Sequence, residues 1–326
     1  MQKRVWFPLL VVAAALIGLS SPTMARPAPK TLTIYAAGTL ATPFQRVDAA
    51  FHKLHPDITI EPQFGGSVMM ARRIADLHQQ ADVFASADYT VIPDVLGKAG
   101  LSSWLLGFAS NAVTLAYTTH SHGANDINAN NWYHVIARPG VVIGRSDPNT
   151  DPSGYQFLQM LSLADGYYHD PGLKAAVLKN APRSAMRNTE TSLISALQLG
   201  EIDYLAIYTS SAKSHGLEYV RLPADIDLGD PDKAALYAHG TARTDKGLLS
   251  GKPIIYGVTI PRSSPHPELA AEYIHFLVSP EGRKILTASG FAPLEAPLLH
   301  GASDAPASLK SGSQPWPKAL AWSAGK

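Results

Sequence analysis

Near its start the chain alternates short apolar segments with helical ones, and this alternation is the feature that most restricts its fold. Residues 31–36, 58–60 and 83–85 are predicted strands, because they are short, apolar and bounded by turn residues. Residues 42–54 and 68–77 carry apolar side chains at helical spacing and are predicted helices. Strands that alternate with helices form mostly parallel sheets with helices on both faces. The sequence therefore predicts an α/β fold built from mostly parallel sheets that are flanked by helices.

The same alternation continues through most of the chain. Further strands are predicted at 112–117, 141–144, 202–207, 219–222 and 254–260, and further helices at 155–163, 190–199, 267–277 and 280–289. From residue 299 onward the sequence is rich in Ser, Ala, Gly and Pro. Such a composition is typical of loosely ordered termini, so residues 299–326 are predicted to form a mobile C-terminal tail.

Residues 1–25 are predicted to be a signal peptide and not part of the fold. Lys3 and Arg4 precede an apolar stretch at 5–19, and residues 23–25 resemble a signal-peptidase cleavage pattern. The stretch is shorter than the roughly 20 apolar residues of a membrane span, and an uncleaved anchor is the alternative. No cysteine follows the stretch, so the chain is not a lipoprotein. We expect an exported protein that resides free in the periplasm.

Composition and the lack of familiar motifs argue against several functional classes. The 27 basic and 26 acidic side chains nearly cancel, so nothing indicates nucleic acid binding. The absence of cysteine excludes thiol nucleophiles and cysteine-ligated metals. No nucleotide-binding or hydrolase motif occurs. His52 and His55 lie three residues apart but lack nearby partners to complete a zinc site. We therefore predict no catalytic residue, no bound metal and no cofactor.

Four turns stand out, most of them between a predicted strand and a predicted helix. They occupy residues 37–40, 65–68, 86–89 and 151–154 and are rich in Gly, Ser, Thr or Asp. In an open α/β sheet such turns lie at the carboxyl ends of the strands, where ligands bind. A helix N-terminus offers unpaired N–H groups and about half a positive charge, and a Ser or Thr adds a hydroxyl donor. Several converging turns would form a cage of neutral donors for an oxyanion.

Each turn also has a purely structural interpretation. Thr39 or Thr42 can cap the first helix, and Ser67 can cap the second. Asp151, followed by a proline, is typical of an N-cap residue with proline at the first helical position. The recurrence of these turns at successive strand ends is what favours a ligand-binding function.

Seven stretches of the chain occur together in the order found in one known family. They are 32–40 (LTIYAAGTL), 66–68 (GSV), 81–93 (ADVFASADYTVIP), 148–155 (PNTDPSGY), 202–222 (IDYLAIYTSSAKSHGLEYVRL), 251–261 (GKPIIYGVTIP) and 272–286 (EYIHFLVSPEGRKIL). With these stretches the sequence resembles the substrate-binding proteins of tungstate/molybdate ABC importers, in the archaeal-type class. The resemblance implies a two-lobed periplasmic-binding-protein fold of type II. Residues 31–110 and 252–298 would form lobe 1 and residues 111–251 lobe 2, with the ligand in the cleft between them.

The resemblance also implies a set of ligand-binding residues. They are Gly38, Thr39, Ser67, Asp151 and Ser153, with Ala87, Pro152, Ile207 and Tyr208 as further candidates. In the family, an aspartate and a glutamate each place an oxygen on the metal of the bound anion. The aspartate corresponds to Asp151, whereas this chain has Ile207 at the position of the glutamate. Because isoleucine has no oxygen, we expect a tetrahedral anion, or at most a five-coordinate one.

The resemblance implies that the protein captures molybdate or tungstate and delivers it to an inner-membrane ABC permease. It also implies a monomer that is not an enzyme. Three alternatives remain open. The ligand can be another oxyanion such as sulfate or phosphate. It can be ferric iron, for which Tyr89, Tyr155 and Tyr208 are available as ligands. Less favoured is a metal-dependent hydrolase on a similar scaffold.

Overall fold

The computed structural model of the protein describes residues 30–321, so the predicted signal peptide at 1–25 lies outside the described residues. The strands are β1 (Lys30–Ala37), β2 (Ile58–Gly65), β3 (Val83–Ser86), β4 (Leu105–Ser110), β5 (Val113–Tyr117), β6 (Ile143–Ser146), β7 (Met186–Arg187), β8 (Tyr204–Tyr208), β9 (Glu218–Tyr219), β10 (Thr241–Thr244), β11 (Gly247–Ser250), β12 (Ile255–Thr259), β13 (Ala292–His300) and β14 (Gln314–Pro315).

The α-helices lie between these strands and near the C-terminus. They are α1 (Ala41–Leu54), α2 (Ser67–Ala75), α3 (Trp132–Ile136), α4 (Pro152–Tyr167), α5 (Leu173–Lys179), α6 (Glu190–Gln198), α7 (Thr209–Ser214), α8 (Ala234–Tyr237), α9 (Pro267–Val278), α10 (Pro280–Ala288) and α11 (Ala307–Lys310). Within residues 30–321, no helix combines the length and the apolar character that are needed to cross a bilayer.

The strands form two large sheets and one hairpin. The first sheet has the order β14-β13-β4-β12-β3-β1-β2, and the second has the order β7-β6-β8-β5-β9. Strands β10 and β11 form a separate antiparallel hairpin. In the first sheet, β1 pairs in parallel with β2 and β3, whereas β12 runs antiparallel to both β3 and β4. In the second sheet, β6 is parallel to β7 and β8, and β5 is antiparallel to β8 and β9.

The chain crosses between the two sheets twice, once after β4 and once before β12. This crossing makes both sheets mixed, because the strands next to the crossing run against their neighbours. The predicted α/β fold with helix-flanked sheets is confirmed, with more antiparallel pairing than the sequence indicated. The division into lobes at 110/111 and 251/252 stays a prediction, and the two crossings fall at these places in the chain.

The two faces of β1 pack against different helices, and this explains the alternation in the sequence. Leu32 and Ile34 are buried in one apolar cluster with Phe44 of α1. Tyr35 belongs to a second cluster that contains Met70 of α2. Successive side chains of a strand point to opposite faces of the sheet, so a helix covers each face. The arrangement leaves the carboxyl ends of β1 and β2 directed towards the starts of α1 and α2.

Residues 299–321 pack against the fold, in contrast to the mobile tail that was predicted for 299–326. Residues 299–321 pack onto the first sheet, where β14 pairs with β13. Leu309 and Leu320 are buried, and the ring of Trp316 lies 4.8 Å from the ring of Tyr89. The Tyr89 hydroxyl donates a 2.8 Å hydrogen bond to the carbonyl oxygen of Leu320. A few apolar residues are enough to fix this segment, because Leu299, Ala305, Leu309 and Leu320 are buried.

Candidate functional site

Two turns of the first sheet lead directly from a strand into a helical segment. Residues Gly38–Leu40 form a 3-10 turn between β1 and α1, and α2 begins at Ser67 immediately after β2. Neither helical start is capped by a side chain. The first N–H groups of an uncapped helical start are the natural partners of an anion. The two turns lie next to each other because β1 and β2 pair in parallel, with Ala37 opposite Gly65.

The hydroxyl groups of Thr39 and Ser67 do not cap helices, so that interpretation of these two residues is wrong. The Thr39 Oγ1 atom lies 2.8 Å from the hydroxyl oxygen of Tyr256, which comes from β12. The Ser67 Oγ atom accepts a 3.0 Å hydrogen bond from the backbone N–H of Ala87. Ser67 therefore still holds its own hydroxyl proton, which has no acceptor among residues 30–321. Both side chains are almost fully buried, as expected for donors inside a closed site.

Gly66 brings the first sheet into contact with the loop that precedes α4. A Cβ atom at this position would lie 2.5 Å from the Thr150 carbonyl oxygen and 3.1 Å from the Asp151 Cβ. Only glycine allows so close an approach of the two backbones. In addition, the N–H of Met69 donates a 3.2 Å hydrogen bond to the Thr150 oxygen. The loop carrying Asp151 is thus held directly over the start of α2.

Asp151 caps α4, as its sequence pattern indicates. Its Oδ1 atom accepts 2.8 Å hydrogen bonds from both the backbone N–H and the hydroxyl of Ser153. Burial raises the pKa of the Asp151 carboxyl, and the two bonds from Ser153 act in the opposite direction. The Ser153 hydroxyl proton is therefore already committed to Asp151. Pro152 has no N–H to donate, so its contribution is to fix the backbone of the first helical turn.

Glu190, the first residue of α6, is a candidate that the sequence analysis missed. A Cβ atom on Gly38 would lie 3.5 Å from the Cβ of Glu190, so α6 meets the turn that follows β1. Part of the residue keeps contact with solvent, but its carboxyl group is surrounded by protein. Burial raises the pKa of this carboxyl from 4.5 to about 8; the Ser211 hydroxyl lowers it and the charge of Asp151 raises it.

A network of hydrogen bonds connects the two segments where the chain crosses between the sheets with the residues that follow β8. The Asn111 Nδ2 group donates to Ser210 Oγ at 2.6 Å and to the Tyr256 hydroxyl at 3.2 Å. The Tyr256 hydroxyl in turn contacts Thr39. Beside this network, Ser211 Oγ is buried next to the Glu190 carboxyl and makes no hydrogen bond of standard geometry among residues 30–321. A buried hydroxyl without such a bond is an available donor for a ligand.

The tyrosines available for an iron site are committed elsewhere. The Tyr155 hydroxyl donates to Asp88 Oδ2 at 2.7 Å, and the Tyr208 hydroxyl donates to Gln156 Oε1 at 2.5 Å. Burial raises the pKa of Tyr155 and of Tyr208 well above the ordinary value of 10. The Tyr89 hydroxyl donates to the backbone carbonyl oxygen of Leu320. Each of the three hydroxyls would have to give up its proton and its hydrogen bond before it could bind ferric iron.

Ile207 and Ala87 differ in what they can offer. Ile207 is 3% exposed and packs in an apolar cluster with Leu193 of α6 and Ala212 of α7. Ala87 is also buried, and its N–H is already bonded to Ser67. Ile207 thus offers no oxygen to a ligand and packs among apolar side chains, whereas the Ala87 N–H orients the Ser67 hydroxyl.

The site holds two acids and no paired base. Among residues 30–321, no ion pair joins Asp151 or Glu190 to a lysine, arginine or histidine. The donors are instead neutral: backbone N–H groups at helical starts and the hydroxyls of Thr39, Ser67 and Ser211. Such an arrangement suits a small oxyanion that is recognised by hydrogen bonds in a desolvated space.

His52, His55 and a cavity beside Asp88 lie apart from this set. His52 is bonded to the Ile58 carbonyl oxygen at 2.9 Å, and His55 stacks on Phe51 with ring centroids 4.3 Å apart. In the part of the chain that the structure describes, no three His, Asp or Glu side chains gather in the way a metal ion requires. A cavity of about 560 Å³ borders Asp88 and Tyr155 but is not lined by Thr39, Ser67 or Glu190.

Comparison with known sequences gives one family and several relatives. Residues 32–292 match the family described as bacterial extracellular solute-binding protein. The molybdate/tungstate-binding protein WtpA of Thermococcus kodakarensis is 36% identical over 299 residues, covering 83% of this chain and 84% of the relative. WtpA of Pyrococcus abyssi is 34% identical over 298 residues, covering 83% and 86%. An uncharacterized solute-binding protein of Petrotoga mobilis is 34% identical over 285 residues, covering 86% and 88%.

Solved structures share the fold at much lower sequence identity. The periplasmic molybdate-binding protein of Azotobacter vinelandii has a TM-score of 0.60 and 17% identity, covering 80% of this chain and 98% of that one. The sulfate-binding protein SubI of Mycobacterium tuberculosis also has a TM-score of 0.60, with 16% identity, covering 88% and 94%. The family match spans most of the chain, and the sequence relatives cover more than four-fifths of it. The chain therefore belongs to the bacterial extracellular solute-binding protein family.

Proposed function

We propose that the protein binds molybdate or tungstate in the site between its two sheets and delivers the anion to an ABC permease. The observation that carries this proposal is the meeting of neutral donors from both sheets at one desolvated place without a basic partner. The relatives named molybdate/tungstate-binding protein share about a third of their residues with this chain over most of its length. Their names supply the identity of the oxyanion, which donor geometry alone leaves open.

The proposed ligand contacts follow from the geometry of the turns. The N–H groups at Gly38 and Thr39 and the hydroxyls of Thr39 and Ser67 come from the first sheet. The hydroxyl of Ser211, in α7 after the second sheet's β8, lies next to the Glu190 carboxyl and makes no hydrogen bond of standard geometry in the described part of the chain. Asp151 and Ser153 hold the loop over the site through their mutual hydrogen bonds. Tyr256 and Asn111 position Thr39 and Ser210 and join the two sides.

Binding and closure are proposed to be one event. Lobe 1 (31–110 and 252–298) and lobe 2 (111–251) each contribute only part of the donor set, so neither can bind the anion well when the lobes are apart. The direct contact between Gly66 and Thr150 corresponds to a closed state. We propose that the two chain crossings act as the hinge and that a permease recognises the closed form. We also propose that the mature protein is a periplasmic monomer without enzymatic activity.

The binding of ferric iron is a weaker candidate, although iron-binding proteins share this fold. An iron-bound protein of Pseudomonas aeruginosa, HitA, has a TM-score of 0.53 and 20% identity. Iron sites built from tyrosine need phenolates, and burial raises the pKa of Tyr155 and Tyr208 well above 10. The loss of a proton from either hydroxyl would also break its hydrogen bond to Asp88 or Gln156.

Calorimetric titration of the purified protein with a panel of anions tests the proposal. We expect molybdate and tungstate to bind one-to-one, with sulfate and phosphate weaker and ferric citrate giving no saturable signal. Size-exclusion chromatography with light scattering reports whether the protein is a monomer. A metal-dependent hydrolase would instead consume substrate after addition of a divalent metal. No heat with either molybdate or tungstate would refute the proposed function.

A further inference from the structure

The cavity of about 560 Å³ beside Asp88 is enclosed by parts of the chain that belong to different sheets. Helix α2 and residues 88–98 border it on the side of the first sheet, and α4 and the β10–β11 hairpin border it on the other side. None of the residues proposed to contact the oxyanion lines it. Its volume is in the range of pockets that bind small organic molecules. The cavity therefore has room for a ligand of its own.

Positive charges converge on this cavity from both sides. Arg72 belongs to α2, Lys246 lies in the turn of the hairpin and Lys252 follows the hairpin. None of the three forms an ion pair among residues 30–321. Burial lowers the pKa of the Lys246 ammonium, and the positive charge of Arg72 lowers it further. Like charges that converge repel each other, and an anion placed between them would remove this repulsion.

The acidic side chains that line the cavity do not cancel these charges. Asp88 accepts three hydrogen bonds through its two carboxyl oxygens, which stabilise its negative charge. Asp94 forms a 3.5 Å ion pair with Lys98, and Asp245 is exposed to solvent. The lining as a whole has four basic and three acidic side chains. The balance is positive, and the three cations without an ion pair remain available to a negatively charged ligand.

Two buried amides of α4 add neutral hydrogen-bonding groups to the cavity. Gln156 and Gln159 are each 3% exposed, and both line it. The Gln156 Oε1 atom accepts the Tyr208 hydroxyl, whereas its amide nitrogen makes no hydrogen bond of standard geometry among residues 30–321. The side chain of Gln159 makes no such bond in the same part of the chain. Because buried amides are normally hydrogen-bonded, these groups indicate a ligand that bonds them.

The rest of the lining shows what kind of anion fits. Val91, Val95 and Leu248 present apolar surface to the cavity, against which a carbon skeleton can pack and an inorganic anion cannot. We propose that this cavity is a second binding site, which takes a small organic acid with two or more carboxylate groups. The three cations bind the carboxylates from both sides of the cavity, and the two amides bind the remaining oxygen atoms.

Calorimetric titration of the purified protein with tricarballylate, with and without saturating molybdate, tests the inference. Tricarballylate has three carboxylates and no hydroxyl group through which to chelate molybdate. We expect saturable one-to-one binding under both conditions, and weaker binding at high salt because the contacts are ionic. Arg72→Gln and Lys246→Gln should each weaken the binding about tenfold, since each removes a charged donor. Both side chains are exposed, so melting temperatures should stay close to that of wild type.

Arg73→Gln is the matched control, because it removes the same charge from the next position of α2. Arg73 does not line the cavity, and its Nε group donates to Gln79 at 2.8 Å. This variant should bind tricarballylate as wild type does.

Three results would overturn the inference and leave the proposed function intact. They are no saturable heat up to about 10 mM tricarballylate, loss of its binding when molybdate saturates the protein, and equal affinities in the Arg72, Lys246 and Arg73 variants. Tricarballylate binding that depends on Arg72 and Lys246, in a protein that binds neither molybdate nor tungstate, would instead refute the proposed function alone.

Discussion

Replacement of Ser67 by alanine tests whether the hydroxyl of this residue binds the ligand or only stabilises the fold. Ser67 is 1% exposed, and its Oγ accepts the N–H of Ala87 at 3.0 Å while its own proton has no acceptor among residues 30–321. The substitution leaves the buried N–H of Ala87 unpaired, which costs about 1–3 kcal/mol of unfolding free energy. It also removes a donor to a charged ligand, which costs about 1.5–3 kcal/mol of binding free energy, or roughly tenfold to a hundredfold in affinity.

Ser102→Ala is the matched control for this substitution. Ser102 is another buried serine and lies just before β4 of the first sheet. Its hydroxyl donates a 2.8 Å hydrogen bond to the carbonyl oxygen of Trp104. Denaturant unfolding should show a loss of stability for both variants, whereas calorimetry should show weaker anion binding for Ser67→Ala alone. If Ser67→Ala loses stability but binds molybdate as tightly as wild type, the hydroxyl is purely structural and the argument for the donor set fails.

Three further substitutions test other parts of the structure. Thr39→Val removes the hydroxyl beside Tyr256 and should weaken molybdate binding about tenfold in calorimetry, with a small change in melting temperature. Burial raises the pKa of Asp48 to about 6, so the stability that its protonated form confers is complete below pH 3.8 and is lost as the pH rises through 6. Asp48→Asn should therefore gain up to ~2 kcal/mol over wild type between about pH 4 and about pH 7 in denaturant unfolding. Ile207→Glu places an acid in an apolar cluster and should lower the free energy of unfolding by at least ~2 kcal/mol. It should not increase the preference for tungstate over sulfate; an increase would show that position 207 faces the anion.

The elements of the fold were predictable wherever a local pattern determines them. Helix α1 was predicted at 42–54 and lies at Ala41–Leu54, and β3 was predicted at 83–85 and lies at Val83–Ser86. The predicted strand at 219–222 is mostly absent, since β9 ends at Tyr219. Strands β4 and β13 were missed because their residues do not alternate, and they are defined by pairing with each other and with β12 and β14.

The chemistry of the site was less predictable, because it depends on partners distant in the sequence. The Thr39 and Tyr256 hydroxyls meet across 217 residues, and no local pattern distinguishes such a contact from a helix cap. Glu190 follows Thr189, which caps α6, so a turn signal of the same kind was present there. It was overlooked because only the two-residue strand β7 precedes it. The pattern therefore finds helical starts, and tertiary structure decides which of them face the ligand.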